Sequence, residues 1–499
     1  MNAVLKESPS NIAALFARMA AKAPALAETT VEQRVEKIGR LLKAILDARP
    51  AILAAGKKEL RLVDLDIDAQ LLMVKSEADF VMRNLKDWVK PQPVQGTLMS
   101  VGKKCYVHYE PKGVVLHVST WNAPIAEAFV PALGAIAAGN AFCLKPSELA
   151  PLSAQVLADI VAKVFTDDEF AVVQGAADVA QELLRQPFNH IFYIGGHSVG
   201  RMIMKAAAEH FATVTLEMGG KNPTIVDKSA DIDEAAKKTA WGRVCNAGQV
   251  CLAPDYALVH ESVKDQFVAA LGKHMTAMYN ADGAGYQKSA YLPRIVNTRH
   301  FQRIKSLLDD AVARGAKIEH GGQTDEADLF IAPTILTGLK PEMRIMQEEI
   351  FGPIICILPF SRREDVVREI KTRPKPLGSY IFARDREAID WFLKHTSSGS
   401  SSINHNVIQA GINPQLPFGG ANASGIGRLG GRYTFLECSN ARAVVEDGPG
   451  LGDPDMMYPP YSKKYQEAIG WMLSKTLKIP NGVINFLNGV LSLKGGYSK

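Results

Sequence analysis

The stretch 244-VCNAGQVCLAPDY-256 holds two of the chain's six cysteines, Cys245 and Cys251. A cysteine works as a nucleophile when the backbone around it is open, its surroundings favour the thiolate, and a donor waits for the oxyanion that its attack creates. At Cys251, Gly248 permits close backbone approach, and the residue's own N–H can complete an oxyanion site. Cys245 closes the apolar-periodic run 239-TAWGRVC-245 and reads as a buried helical cysteine. A single cysteine is more often structural than catalytic, so Cys251 needs partners.

Two candidates lie far off in sequence. Glu217, in 215-TLEMGGKNP-223, precedes a Gly-Gly turn. Flanked by Leu216 and Met218 at a sheet end, its carboxylate has the setting of a general base with a raised pKa, or of an ion-pair member at a strand end. Asn122, in 119-STWNAP-124, closes the strand 114–119, where open α/β sheets bind ligands. Its amide can donate to a developing oxyanion; the alternative is an Asn that holds its own turn beside Pro124.

A second group of residues points to a dinucleotide. 190-HIFYI-194 runs into Gly195-Gly196-His197-Ser198-Val199-Gly200, a strand, a glycine turn and a helix with the apolar stripe Val199, Met202, Ile203, Ala206 and Ala207. Gly195, Gly196 and Gly200 let a phosphate approach backbone N–H groups at the positive end of a helix, or serve helix–strand packing alone. In 145-KPSE-148, Lys145 can bind ribose hydroxyls or phosphate and Glu148 can accept from a ribose, unless the loop is simply exposed and capped by its Ser.

These residues need a scaffold of sheet ends. From 104-KCYVHYE-110 and 114-VVLHVS-119 onward, short strands (141-AFCLKP-146, 169-EFAVVQG-175, 189-NHIFYIGG-196) alternate with helices, the rhythm of a doubly wound parallel sheet, and a second α/β region begins near residue 219. Residues 29–90 read as amphipathic helices. With 499 residues, 47% apolar and 22% charged, the chain has the composition of an ordinary globular protein with more than one domain. A net charge of +5 makes no case for nucleic acid, and six sparse cysteines without a C-x-x-C pair argue for a reducing compartment and against zinc. The N-terminus lacks a secretory core and 129-FVPALGAIAAG-139 is far short of the ~20 residues of a membrane span, so the expected location is cytoplasmic. Residues 461–499 differ: six lysines against one glutamate, with Ile469, Met472, Leu473 and Leu477 on one face of 465-YQEAIGWMLSKTLK-478. Such a helix lies on an anionic membrane or docks on its own fold.

The motifs TWN, KPSE, LEMGGKNP, NAGQVC, 348-EEIFGP-353 and 416-LPFGGANASGIGR-428 occur in an order and spacing that resemble the NAD(P)-dependent aldehyde dehydrogenase superfamily, over about residues 10–445. The short N-terminus, QEEIFGPI and VCLAPDY are similar to its class 3 branch, which includes coniferyl aldehyde dehydrogenase-like enzymes. The resemblance implies an α/β fold with a Rossmann-type cofactor domain (1–92 and 112–218), an α/β catalytic domain (219–416), a small β oligomerisation element (93–111 and 417–445) and the tail 446–499. It implies that Cys251 attacks the aldehyde, that Asn122 and the Cys251 N–H hold the oxyanion at roughly 3–4 kcal/mol per donor, and that Glu217 activates the water that hydrolyses the thioester. Glu349 would bind the nicotinamide ribose, Phe351 would pack at the nicotinamide, and Lys145 and Glu148 would bind the adenosine ribose, which favours NAD with NADP as the alternative. The implied partners are a small aldehyde (aromatic or long-chain), a second copy in a homodimer, no metal, and peripheral membrane contact through the tail. A cofactor-independent cysteine esterase using Cys251 and Glu217 is the alternative activity. The chain departs from the pattern at Gly195-Gly196-His197, where Gly-Ser-Thr is usual, at Val250, where Thr is common, at His405, where an acid is common, and in the length of its tail.

Overall fold

The run 114-VVLHV-118 is apolar without alternation, as is 141-AFCLK-145 up to its last residue, the mark of strands covered on both faces. In the computed structural model of the chain, which describes residues 9–100, 103–409, 411–447, 458–474 and 482–483, both segments are strands buried along their whole length. They lie in a six-stranded sheet in the order Gly425–Ile426, Thr213–Met218, His190–Gly195, Val114–Val118, Ala141–Lys145, Phe170–Val172. All its pairs are parallel except the first, where Gly425–Ile426 runs antiparallel to Leu216–Glu217. The helix Pro124–Ala138 follows the strand Val114–Val118; Pro124 starts it and Gly139, at φ 91°, ends it in the left-handed conformation that favours glycine.

A seven-stranded sheet holds, in order, Lys317–His320, Thr334–Thr337, Ile354–Phe360, Tyr256–His260, Pro223–Val226, Gly378–Phe382 and Ser400–Ile403. Only its first pair is antiparallel. Residues 219–222 carry the chain directly from the six-stranded sheet into this one. Both sheets lie in one compact unit, residues 1–85 and 111–438. Residues 417–438 therefore belong with the large unit, because their strand completes the edge of its first sheet. The second unit, residues 86–110 and 439–499, is built on a three-stranded sheet of Gln92–Pro93, Lys103–Pro111 and Ser439–Asp447.

The structure revises one periodicity reading. In the helix His197–Glu209 the buried positions are Gly200, Ile203 and Ala207, whereas Val199 and Met202 are exposed. The face toward the sheet follows a spacing of three and four from Gly200, which displaces Val199 and Met202 from it. In the tail, the helix spans Lys463–Leu473, with Ile469, Trp471 and Leu473 exposed; Leu477 lies outside the described residues. No described helix is long and apolar enough to cross a membrane.

Candidate active site

Strand polarity assembles the site. The carboxyl ends of the strands Val114–Val118, Ala141–Lys145, His190–Gly195 and Thr213–Met218 carry Asn122, Lys145, Gly195–Gly196 and Glu217. The amino ends of Tyr256–His260 and Ile354–Phe360, in the other sheet, carry Cys251 and Glu349–Phe351. Glu217 and Cys251 meet in a side-chain hydrogen bond. Glu349 acts electrostatically on both of them.

The segment before Cys251 is wound tightly. The helix Ile232–Val244 ends one residue short of Cys245, which opens a single 3-10 turn. Cys245 is thus half-buried at a helix end rather than buried inside a helix, its sulfur 3.6 Å from the Gly242 carbonyl. Asn246 (φ 49°), Ala247 (φ 52°) and Gly248 (φ 74°) follow in left-handed conformations. For a non-glycine residue this costs about 1–3 kcal/mol and persists only where the surroundings impose it. A Cβ at Gly248 would collide with the Gly352 carbonyl, so this position requires glycine for packing as well as for φ.

Buried struts impose that conformation. Asn122 Nδ2 donates to the Gln249 carbonyl at 3.0 Å, and Asn246 Nδ2 donates back to the Asn122 carbonyl at 3.0 Å. An amide nitrogen has two protons, so Asn122 keeps one for a ligand. Gln249 is held by Arg294 O (3.0 Å) and Val296 N (2.9 Å). Asn222 Nδ2 donates to the carbonyls of Cys251 (2.7 Å) and Ala253 (3.1 Å), while its Oδ1 accepts from Gly378 N (2.8 Å). Arg243, 1% exposed, donates to Pro254 O, Gly248 O and Gly352 O and pairs with Asp255 at 3.2 Å. Asp255 also binds Lys221 and Ile350 N, so one carboxylate ties the segment after Cys251 to the segment that carries Glu349.

The electrostatics disfavour the thiolate at Cys251. Desolvation pushes the Cys251 thiol well up, and Glu217, Glu127 and Glu349 push it further. Glu217, 2% exposed, is itself raised, first by burial and then by the charge of Glu127; the bond to Cys251 opposes this. Its Oε1 is buried with no hydrogen-bond partner among the described residues. Glu349 is pushed up to about 8 by burial and Asp255, against a hydrogen bond from Gly220. A side chain at Gly219 would occupy the space of the Glu349 carboxylate.

The other predicted residues divide. Lys145 is 3% exposed and pairs with Glu148 at 2.8 Å. Gly195 and Gly196 lead into the helix His197–Glu209, and the space where a Cβ of Gly196 would stand is open. Free N–H groups at the start of a 13-residue helix and an open approach at Gly196 fit a dinucleotide pyrophosphate. Gly200 serves packing: a Cβ there would meet the Met218 sulfur at 2.6 Å. The His197 ring bonds to the Ala423 backbone. Phe351 (φ 48°) sets its ring edge-to-face on Trp121, centroids 5.7 Å apart. His405 packs edge-to-face on Trp241 at 6.0 Å. Val250 is half-buried beside Cys251.

Sequence reasoning missed Glu127, Asn222, Arg243, Gln249 and Asp255. Asn222 lies within the motif LEMGGKNP, and Gln249 and Asp255 flank Cys251 closely. Arg243 offered a signal of its own, a lone cation in the apolar run before Cys245.

The chain is similar to known proteins over most of its length. The profile described as "Aldehyde dehydrogenase family" matches residues 2–444. "Aldehyde dehydrogenase family 3 member A2" of Rattus norvegicus is 39% identical over 432 residues, 86% of this chain and 87% of the relative. "Aldehyde dehydrogenase, dimeric NADP-preferring" of Canis lupus familiaris is 39% identical over 393 residues, 78% of this chain and 84% of the relative. A solved structure described as the substrate-bound state of Staphylococcus aureus AldH superposes with a TM-score of 0.87 at 35% identity, covering 92% of this chain and 99% of that one.

Proposed function

This chain belongs to the aldehyde dehydrogenase family, class 3-like branch, and we propose that it oxidises a hydrophobic aldehyde, aromatic or long-chain, to the carboxylic acid through a covalent adduct on Cys251. It is an oxidoreductase of a family that uses NAD(P). The observation that carries the mechanism is the hydrogen bond between the Cys251 thiol and the buried Glu217 carboxylate. A thiol held protonated at rest needs a base in contact with it, and Glu217 is that base.

As sulfur bonds to the carbonyl carbon, the thiol proton passes to Glu217. The free Nδ2 proton of Asn122 and the Cys251 N–H stabilise the oxyanion. A bound nicotinamide would supply the hydride acceptor for oxidation of the adduct on Cys251. Glu217 then takes a proton from the water that attacks the thioester, and the C–S bond breaks to release the acid. Lys145 and Glu148 would hold the adenosine ribose, and the acidic Glu148 would favour NAD over a 2′-phosphate. The N–H groups at the start of the helix His197–Glu209 would hold the pyrophosphate, Glu349 would hold the nicotinamide ribose, and Phe351 would pack at the nicotinamide side.

Three features support the finer reading. A cavity lined by Met73, Val130, Pro414, Leu416, Phe418 and Leu429, with Glu77, Glu127 and Gln409 as polar members, offers a largely apolar wall suited to a hydrophobic substrate. The strand Ser439–Asp447 is an edge strand of its sheet, and a relative is named as dimeric, which favours a homodimer. The helix Lys463–Leu473 exposes Ile469, Trp471 and Leu473 beside Lys463 and Lys464, a composition suited to peripheral contact with an anionic membrane. NADH and NADPH formation over a panel of aromatic, fatty and short aldehydes tests the reading; turnover confined to short polar aldehydes contradicts the substrate class, and ester hydrolysis with no reduced cofactor from any aldehyde favours the esterase alternative.

A further inference from the structure

The chain around Glu349 is held by its backbone carbonyls, and the holders are cations. Lys221 Nζ donates to the carbonyls of Ile345 (2.8 Å) and Glu348 (3.1 Å), and Arg243 donates to that of Gly352. Both are buried and both pair with Asp255, so they belong to the packing of the interior. Arg303 differs. Its guanidinium donates from Nη1 to the Glu349 carbonyl at 3.0 Å and from Nη2 to the Ile350 carbonyl at 2.6 Å, while its side chain is 29% exposed. It pairs only loosely with Glu348, at 3.7 Å, and Glu348 is shared with Arg344 at 3.1 Å.

Water can satisfy a carbonyl beside a partly exposed side chain, so pairing alone does not call for an arginine there. What the planar guanidinium adds is direction, because a rigid fork on two successive carbonyls fixes the peptide between them. That peptide joins Glu349 to Ile350, and Phe351 follows at φ 48°, in the left-handed region. Beyond the clamp, the Glu349 carboxylate accepts from Gly220 N and lies against Gly219. The Phe351 ring meets Trp121, the neighbour of Asn122, edge-to-face at 5.7 Å. The helix Thr298–Ala313, which carries Arg303, reaches the same wall at two more points. His300, one turn earlier, sets its ring 5.7 Å from that of Trp121, and a Cβ at Gly352 would strike the Ile304 side chain at 2.8 Å.

We propose that Arg303 is a positioning residue for the nicotinamide end of the cofactor: by clamping the Glu349 and Ile350 carbonyls it sets the direction of the Glu349 carboxylate and of the Phe351 ring. This rests on the aldehyde dehydrogenase reading of the site. Arg303 acts through these two residues and not on the reacting atoms. The Cys251 segment is held by other struts, those of Asn122, Gln249 and Asn222, so the clamp serves the cofactor half of the site apart from the thiol half.

The test uses the full chain and begins with binding. Calorimetric titration of Arg303→Gln with NAD+, or with NADP+ if wild type prefers it, gives a Kd raised by about tenfold. ADP, which carries the adenosine ribose and the pyrophosphate but no nicotinamide ribose, binds as it does to wild type. Aldehyde oxidation at saturating cofactor falls by about 10–100-fold in kcat. Hydrolysis of p-nitrophenyl acetate, which acylates a thiol without any cofactor, keeps its rate. Arg303→Lys keeps the charge but not the fork, and it recovers only part of the lost affinity. An Arg303→Gln chain with wild-type cofactor affinity and kcat overturns the proposal. Equal losses of dinucleotide binding, ADP binding and ester hydrolysis also overturn it, since they mark a structural role, and full recovery by lysine does so by marking charge alone. A wild-type chain that binds neither dinucleotide, or reduces neither with any aldehyde, sinks the functional reading and the clamp with it.

Discussion

Asn222 Nδ2 donates to the carbonyl of Cys251 at 2.7 Å, while Oδ1 of the same amide accepts from Gly378 N at 2.8 Å. The carbonyl of the candidate nucleophile is thereby fixed to two strands of the seven-stranded sheet, those starting at Pro223 and Gly378. Asn222→Ala removes these bonds from two backbone carbonyls, those of Cys251 and Ala253, and from the Gly378 N–H, at a cost of about 1–3 kcal/mol for each group left unpaired. The expected outcome is a kcat lowered by about 10–100-fold with KM nearly unchanged, because a sub-ångström shift of the sulfur disturbs attack more than binding. An unchanged kcat in a variant with a lowered Tm would show that the strut serves only folding.

The protonated resting thiol has a chemical signature. Burial and then Glu217, Glu127 and Glu349 raise Cys251, so iodoacetamide should alkylate it slowly at about pH 7, and faster through about pH 9 without reaching a plateau. Glu217→Gln removes both a charge and a bond that disfavour the thiolate, so the same rate is reached at lower pH. A wild-type plateau below about pH 8, read by peptide mass mapping of Cys251, contradicts this.

Glu77 links the site's surroundings to stability. It is 4% exposed, accepts from Gly431 N at 2.6 Å, and is pushed up to about 7 by burial. A carboxyl raised from its unfolded value contributes its full stability below the unfolded value, near 4.5, and loses it as pH rises through the folded value of about 7. Glu77→Gln keeps the acceptor and removes the charge. Its Tm should match wild type at about pH 5 and exceed it at about pH 8.5, with an upper bound of about 3 kcal/mol. Equal melting at both values would refute the buried charge.

The tail prediction is a deletion. Removing residues 460–499 takes away the helix Lys463–Leu473 with its exposed Ile469, Trp471 and Leu473. Sedimentation with anionic vesicles should fall and the kinetics of long-chain aldehydes should change, while short aldehydes are oxidised as before. If neither partitioning nor long-chain kinetics moves, the tail has neither role.

The sheets were legible because their strands are short, apolar and separated by turn residues, as in Val114–Val118, Gly113 and Ala141–Lys145. Cys251, Glu217 and Asn122 were legible by type and motif, and the parallel sheets explain why residues so distant in sequence share one place: each stands at a strand end. The struts were not legible. Gln249, Asn222 and Arg243 act mainly through backbone carbonyls, and a carbonyl acceptor leaves no trace in residue identity. Glu127 was hidden by its neighbours: it stands two residues before the apolar run 129-FVPALGAIAAG-139, within a helix whose other positions read as plain core. Cys245 fits the apolar period of the helix before it, but that helix stops at Val244, where the left-handed turn at Asn246 begins to form.

Of the two cysteines in 244-VCNAGQVCLAPDY-256, Cys251 and not Cys245 is proposed to carry the covalent chemistry. Cys245 sits at 3.6 Å from Gly242 O, with burial and Asp66 pushing its thiol up to about 12, and Glu217 bonds to Cys251 instead. The most direct measurement is NAD(P)H formation with a hydrophobic aldehyde by wild type, Cys251→Ala and Cys245→Ala, with intact-protein mass of the trapped adduct. The expected result is that Cys251→Ala forms no adduct and no reduced cofactor, while Cys245→Ala retains most of both. Turnover that survives Cys251→Ala but is abolished by Cys245→Ala would contradict it.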